Sequence, residues 1–234
     1  MPKLTNITKK FGNRSVFDGF CAEFPKNVTS AVLGKSGVGK TTLLNVIANL
    51  TDYQGVIEGF GAISYVFQEP RLLEHLTVYE NLDCAIRSSV PDASDREKAI
   101  DEVLRSVKLT HLKNRLAGRL SGGEKQRVSI ARAFAKPSDT VLLDEAFNSL
   151  DLSLKFEIMQ DYIALNRKYS RTGIFVTHDV DDALFVADEI FVLEENALVS
   201  FGRTCRSQND GYGYESDNSL RKRLYDYLLK GIIE

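Results

Sequence analysis

The sequence has few cysteines and almost no net charge, and each shortage excludes a class of protein. The three cysteines, Cys21, Cys84 and Cys205, fit neither a disulfide framework nor the spacing of metal ligands, which is typical of a reducing cytosol. Thirty basic residues against 32 acidic ones leave a formal net charge of −2. No basic field therefore favours binding to nucleic acid.

Long hydrophobic runs are also absent. No stretch approaches the roughly 20 apolar residues of a membrane span, and the N-terminal segment MPKLTNITKK leads into no apolar signal region. We therefore expect a chain that is not itself embedded in a membrane. What the sequence does have is an ordinary globular composition, with 43% hydrophobic and 26% charged residues, and a length that suits one large domain or a domain with a small appendage. We expect a single domain over residues 1–234.

Short apolar runs predict the strands of that domain. Residues 3–27 predict antiparallel strands with a turn at Gly12–Asn13, and Phe20, Ala22 and Phe24 alternate with more polar neighbours. Later runs are apolar without a break, which indicates strands buried on both faces and hence a mainly parallel sheet covered by helices. These later strands are predicted at Val28–Leu33, Ala62–Phe67, Thr140–Glu145, Gly173–His178 and Glu189–Glu195.

Helical patterns separate the strands and predict an inserted helical subdomain at about residues 70–137. Within it, Ser94 followed by Glu97 predicts a capping box. A polar loop is predicted from Ser200 to Asn218 and a final helix after it, so that residues 200–234 form a C-terminal loop and helix. The apolar stripes of three predicted helices are Leu43, Leu44, Val46, Ile47 and Leu50, then Ile100, Val103, Leu104 and Val107, and finally Leu220, Leu224, Leu228 and Ile232.

The stretch GKSGVGKTT, Gly34–Thr42, lies where a strand turns into a helix. Its glycines and Lys40–Thr41 fit the pattern G-x-x-x-x-G-K-[ST]. Such glycines let backbone N–H groups point inward as an anion nest, and the following helix adds the positive end of its dipole. Lys40 would then reach the β- and γ-phosphates of a nucleotide, and the Thr41 hydroxyl would hold Mg²⁺. A glycine-rich turn that binds nothing is the alternative interpretation.

Two further stretches carry the chemistry that a phosphate loop needs. The run VLLDE ends in Asp144, which would support Mg²⁺ through a water, and Glu145. In LSGGEKQR, Ser121 and Glu124 predict a second capping box, yet Gly122–Gly123 occupy its first turn, where each glycine costs about 1 kcal/mol relative to alanine. A serine hydroxyl, two glycines and free N–H groups predict a second phosphate cradle. Two cradles for one phosphate imply that they meet across a dimer.

These motifs together resemble the ATP-binding cassette (ABC) ATPases over nearly the whole chain, with LSGGEKQR as the family's signature motif. The resemblance implies a P-loop NTPase core with an N-terminal antiparallel β subdomain. Gln68 matches the glutamine that contacts Mg²⁺ and senses a partner, and His178 matches the switch histidine. Asp151 ends NSLD, where Asn148 and Ser149 depart from the usual S-A-L-D. Phe11 falls where an aromatic stacks on adenine, with a core residue as the alternative.

The resemblance also implies a site with ATP and Mg²⁺ sandwiched in a head-to-tail homodimer. Glu145 would polarise the attacking water, assisted by Lys40, Gln68 and His178. The metal would be held by Thr41, Gln68 and Asp144. The residues expected to bind nucleotide are Phe11, Gly34, Lys35, Ser36, Gly37, Val38, Gly39, Lys40, Thr41, Thr42, Ser121, Gly122, Gly123 and Asp151.

The segment FQEPRLLEHLTVYENL resembles importer subunits for nitrate, sulfonates, taurine and thiamine precursors. This resemblance implies an ATPase at the cytoplasmic face of the membrane that energises import. Its expected partners are a separate transmembrane permease and a substrate-binding protein, with no nucleic acid. An ATPase subunit of an ABC exporter is the main alternative, and a soluble ABC ATPase outside transport is another.

Overall fold

The computed structural model describes residues 1–148, 150–204 and 218–230, and the chain divides into two compact units. The first unit contains residues 1–61 and 170–234 as far as they are described, and the second contains residues 62–169. The strands are β1 (Lys3–Phe11), β2 (Arg14–Glu23), β3 (Thr29–Leu33), β4 (Gln54–Glu58), β5 (Ile63–Val66), β6 (Thr140–Asp144), β7 (Thr172–Val176), β8 (Glu189–Leu193) and β9 (Leu198–Arg203). The α-helices are α1 (Lys40–Ile47), α2 (Val78–Ile86), α3 (Ala93–Ser106), α4 (Gly122–Ala135), α5 (Leu152–Tyr169), α6 (Val180–Val186) and α7 (Asn218–Lys230).

The first unit begins with an antiparallel sheet in the order β2-β1-β4. The β1–β2 turn at Gly12–Asn13 is the predicted one, and Gly12 has a φ of 57° that suits a residue without a side chain. Phe17, Phe20 and Phe24 are fully buried, and the rings of Phe17 and Phe20 stack with centroids 4.7 Å apart. The predicted antiparallel β subdomain is therefore confirmed.

The same unit contains the parallel strands that follow the hydrophobic pattern. Strand β3 pairs in parallel with both β7 and β8, and β9 joins β8 in the antiparallel sense. Every residue of β3 and of β7 is buried, as their unbroken apolar runs predict. Since Val32 is paired with Val176, the loops that follow β3 and β7 start side by side at one edge.

The second unit pairs β5 in parallel with β6 and contains the four helices α2 to α5. The stripe on α3 is buried as predicted, with Ile100 and Leu104 fully inaccessible. Tyr162 of α5 packs edge-on against Phe134 of α4 and against Phe147, at centroid distances of 5.9 and 6.1 Å. These contacts form the apolar interior of the unit.

Helix α3 begins at a different residue from the one that the sequence predicts. The predicted capping box of Ser94 with Glu97 is wrong, because Asp92 is the N-cap and accepts the Asp95 N–H at 3.0 Å. An aspartate carboxylate is as good an N-cap as serine. The backbone N–H of Arg96 also donates a hydrogen bond to the Asp92 carbonyl oxygen at 3.1 Å, which closes the first turn of the helix. Ser94 therefore lies inside the helix.

The structure also contradicts the expectations for Leu50 and for the loop predicted from Ser200. Leu50 is 59% exposed, because α1 ends at Ile47 and Leu50 lies beyond the buried stripe. The loop predicted from Ser200 instead starts as the end of β9, which pairs with β8, and Gly202 at a φ of 105° accompanies the register shift there. Residues 205–217 and Ile232 lie outside the described residues. Among those described, no helix is long and apolar enough to span a bilayer.

The position of the α3 cap leads to a stability test. We expect Asp92→Ala to lower the free energy of unfolding by about 1 kcal/mol, because the Asp95 N–H loses its acceptor. The matched variant Ser94→Ala should be neutral or slightly stabilising, because alanine is the better residue inside a helix. Urea unfolding followed by circular dichroism measures both. Equal losses for the two variants would contradict the Asp92 cap.

Candidate functional site

The glycine-rich loop in the first unit is confined by packing on two sides. A Cβ at Gly34 would lie 2.7 Å from the Leu193 carbonyl oxygen, and one at Gly39 would lie 2.7 Å from a Val16 methyl carbon. Gly37 and Gly39 also have φ values of 77° and 114°, which L side chains rarely adopt. The loop therefore requires glycine at three positions for its own path, before any ligand is considered.

Lys40, the first residue of α1, places a positive charge inside this loop. Its side chain is buried, and its Nζ donates to the carbonyl oxygens of Gly34 at 2.8 Å and Lys35 at 3.0 Å. A buried ammonium is tolerated only where such acceptors surround it. The Gly39 N-cap offers no side-chain acceptor to the first turn of α1. An ammonium beside an uncapped helix start is suited to an anion.

An open cavity of about 1110 Å³ borders the loop within the first unit. Its walls are the loop itself, the start of β2, the turn between β8 and β9, and the end of α7. Arg14 fixes one wall to the loop, since its Nη2 donates to the Gly37 carbonyl oxygen at 2.9 Å. The cavity is large enough for a nucleotide-sized ligand.

Phe11 and His178 are both exposed residues of the first unit. Phe11 is 53% exposed, so the alternative that it is a core residue is wrong. The Lys9 ammonium lies 4.4 Å from the centroid of its ring, and adenine stacking stays a prediction. His178 follows β7, beside the loop edge of β3, and precedes Asp179, which caps α6. Thr41 is exposed in the first turn of α1, and Thr42 is half-buried.

In the second unit, Asp144 is the buried last residue of β6. Its Oδ2 accepts the hydroxyl of Tyr65 at 3.3 Å. Burial, and next the charge of Asp144, raise the pKa of Tyr65, so the phenol stays protonated and donating. Glu145 follows with a φ of 44°, and the Asn148 amide donates to its Oε2 at 2.7 Å. Gln68 is exposed just after β5.

The helix starts at Ser121 and Asp151 are also in the second unit. The capping box predicted at Ser121 is confirmed, because Ser121 accepts the Glu124 N–H at 3.3 Å and Glu124 accepts the Ser121 N–H at 2.7 Å. This backbone hydrogen bond lowers the pKa of Glu124. At the start of α5, the Asp151 carboxylate accepts a hydrogen bond from the Leu154 backbone N–H at 3.0 Å.

The structure explains the glycine at position 123 but not the glycine at position 122. A Cβ at Gly122 would meet nothing within 4 Å, whereas one at Gly123 would lie 2.2 Å from Cδ2 of Leu154 in α5. Gly123 is thus explained by helix packing against Leu154, a structural reason for the glycine that the sequence did not reveal. Packing does not require a glycine at position 122, and its predicted role in binding phosphate stays a prediction.

The sequence motifs missed three contacts: Arg14 with Gly37, Tyr65 with Asp144, and Asn148 with Glu145. Only the third had a signal, because Asn148 is a position where this chain departs from the pattern that it resembles. The other two join residues 23 and 79 positions apart, and no local spacing reveals them.

The available metal ligands are oxygen atoms. The described ranges contain no group of three or more His, Cys, Asp or Glu side chains that could hold a metal alone. The Thr41 hydroxyl of the first unit and the Asp144 carboxylate of the second unit are each hard oxygen donors, which suit Mg²⁺, an ion that keeps waters and takes phosphate oxygens as further ligands. Both residue types therefore fit the predicted magnesium, and its binding stays a prediction.

The strand, the glycine loop with its buried lysine and the following helix define a P-loop nucleotide-binding fold. Residues 18–148 match the sequence profile of the family described as ABC transporter, and the chain belongs to that family. It is 40% identical over 228 residues to the aliphatic sulfonates import ATP-binding protein SsuB 1 of Pseudomonas fluorescens, with 95% of this chain and 84% of the relative covered.

Other known proteins support the same assignment. The chain is 34% identical over 216 residues to the sulfate/thiosulfate import ATP-binding protein CysA of Yersinia pseudotuberculosis. That match covers 86% of this chain but only 60% of the length of the relative. An ATP-binding cassette solved as a dimer in a post-hydrolysis state with ADP and Pi superposes with a TM-score of 0.75 at 28% identity. That superposition covers 85% of this chain and 96% of the solved one.

Measuring the unfolding stability of alanine variants tests whether packing requires glycine at position 123 but not at position 122. Gly122→Ala should raise the unfolding free energy by up to about 1 kcal/mol, because alanine is the better helix residue and no atom obstructs it. Gly123→Ala should gain less or lose stability, because Leu154 must move. Thermal unfolding compares the two variants with the parent chain. A larger gain for Gly123→Ala would contradict the packing explanation.

Proposed function

We propose that the chain binds and hydrolyses ATP as the nucleotide-binding subunit of an ABC importer. The observation that supports this best is Lys40, whose buried ammonium is surrounded by carbonyl oxygens of a glycine loop at a helix start. A charge buried at that cost is explained by a polyanionic ligand, because triphosphate oxygens would be better partners for it than carbonyls.

The proposal gives each predicted residue a role in one reaction. Water attacks the γ-phosphorus, a new P–O bond forms, and the bond to the bridging oxygen of ADP breaks. Glu145 orients the water and accepts its proton, while Lys40 and His178 stabilise charge on the γ-phosphate. Thr41, Asp144 and Gln68 would hold Mg²⁺, which would supply charge neutralisation at the phosphates. Phe11 stacks on the adenine ring.

The Ser121–Gly123 cradle belongs to a head-to-tail homodimer in this proposal. Ser121 and Gly122 start α4 with an exposed turn, and a Cβ at Gly122 would meet no atom of the described residues within 4 Å. An N-terminal turn of this kind can receive a γ-phosphate from another subunit. The dimeric state of the related ATP-binding cassette supports the arrangement.

The transported solute is proposed to be a sulfonate or sulfate. The relatives reported above are named for import of aliphatic sulfonates and of sulfate or thiosulfate, which favours import over export and sulfur oxyanions over nitrate or thiamine precursors. A separate transmembrane permease and a substrate-binding protein would select the solute. The chain itself would work at the cytoplasmic face of the membrane.

Mixing two damaged chains tests the shared site. Lys40→Ala and Ser121→Arg should each trap little ATP analogue, because each chain lacks one side of every site in its own homodimer. Heterodimers would contain one doubly damaged site and one intact site, so the mixture should trap more nucleotide than either variant alone. Lys26→Ala, an exposed lysine of the same unit, serves as the control and should behave like the parent. No increase on mixing, with dimers confirmed by sizing, would defeat the head-to-tail site.

Growth assays test the proposed solute in the source organism. Deletion of this chain should prevent growth when an alkanesulfonate or sulfate is the only sulfur source, whereas cysteine should restore it. Chromosomal Lys40→Ala should reproduce the deletion, and Lys26→Ala should not. Normal growth of the deletion strain on both oxyanions would overturn the proposed substrate class without affecting the ATPase proposal.

A further inference from the structure

Asn148 makes two hydrogen bonds to Glu145, the residue proposed to orient the attacking water. Its side-chain Nδ2 donates to Glu145 Oε2 at 2.7 Å, and its backbone N–H donates to the Glu145 carbonyl oxygen at 3.1 Å. The backbone bond closes a turn from residue 145 to residue 148. The side-chain bond spans the same turn, so the Glu145 carboxylate is oriented by a group that the turn itself places.

The turn that carries this pair is fixed by its surroundings in the second unit. Ala146 and Phe147 are buried, and Phe147 packs edge-on against Tyr162. The side-chain amide of Gln126 in α4 donates to the Ala146 carbonyl oxygen. Glu145 itself has a φ of 44°, which non-glycine residues adopt only where the neighbouring structure enforces it.

The side-chain amide of Asn148 is a suitable group to hold a carboxylate, because its Nδ2 donates a hydrogen bond from a short side chain that the turn already places. A long glutamate side chain loses considerable rotamer freedom when it is ordered, and a preformed hydrogen bond meets that cost before the substrate arrives.

We propose that Asn148 is a positioning residue for Glu145 and holds its carboxylate in the orientation used in ATP hydrolysis. This inference rests on the proposed function, in which Glu145 is the general base. Asn148 acts through Glu145 and does not itself touch the nucleotide in this proposal. Its removal should therefore lower the rate of the chemical step and leave nucleotide binding intact.

The test compares three substitutions at position 148 with one control elsewhere in the unit. Asn148→Ala should lower kcat by about tenfold to a hundredfold, the range expected when a catalytic group is misplaced, with KM for Mg-ATP unchanged. Asn148→Asp has the same shape but presents a carboxylate to a carboxylate, so its kcat should fall further than that of Asn148→Ala. Asn148→Gln keeps the amide donor and should recover part of the rate lost in Asn148→Ala. Asn114→Ala, an exposed asparagine in the same unit, should leave kcat unchanged.

A merely structural role for Asn148 predicts a different result. It would lower the unfolding temperature and nucleotide affinity together, and Asn148→Asp would behave like Asn148→Ala or better. Parent-like kcat in both Asn148→Ala and Asn148→Asp would overturn the inference, as would a fall in kcat matched by an equal loss of Mg-ATP binding.

The variant Glu145→Gln separates this inference from the proposed function. If Glu145→Gln binds Mg-ATP but does not turn it over while the Asn148 variants are fully active, the inference fails and the base assignment stands. If Glu145→Gln hydrolyses at the parent rate, the base assignment fails. Both are supported when Glu145→Gln is inactive and the kcat values follow the order parent, Asn148→Gln, Asn148→Ala, Asn148→Asp.

Discussion

The burial of one ammonium group constrains the rest of the first unit. Lys40 is buried because the loop from Gly34 curls around it and presents carbonyl oxygens. That path needs glycine where Leu193 and Val16 approach, and it needs β3 to end at the loop. Strand β3 is in turn held between β7 and β8, with all its residues buried. The sheet thus provides a rigid base for a loop that could not hold its shape alone.

Strand ends supply most of the groups with assigned chemistry. The glycine loop follows β3, His178 follows β7, and Glu145 follows β6. Strands β3 and β7 are parallel neighbours in the first unit, so the short segments that follow them start at the same edge without long loops. This explains why buried apolar runs and reactive side chains alternate along the sequence. In each case the strand is buried, and the residues with predicted roles begin one or two positions after it.

Much of this organisation could be predicted because the signals are local. Apolar runs identified β3, β6, β7 and β8, and the capping box at Ser121 depends only on residues three positions apart. The start of α3 was missed because Asp92 and Ser94 are both acceptable caps and the first closed turn decides between them. The reason for Gly123 could not be predicted, because it depends on Leu154 from a helix that begins about thirty residues later. Sequence motifs report which residues can do chemistry, and packing decides which of them are also structural.

The contact at Gly123 connects two parts of the second unit that the motifs treat separately. Leu154 covers the missing Cβ of Gly123 with its side chain, and its backbone N–H donates to Asp151. The starts of α4 and α5 are therefore joined through one leucine, with Ser121 at one helix start and Asp151 at the other. Any side chain at position 123 would have to displace Leu154, so the packing at the start of α5 depends on the residue type at the start of α4.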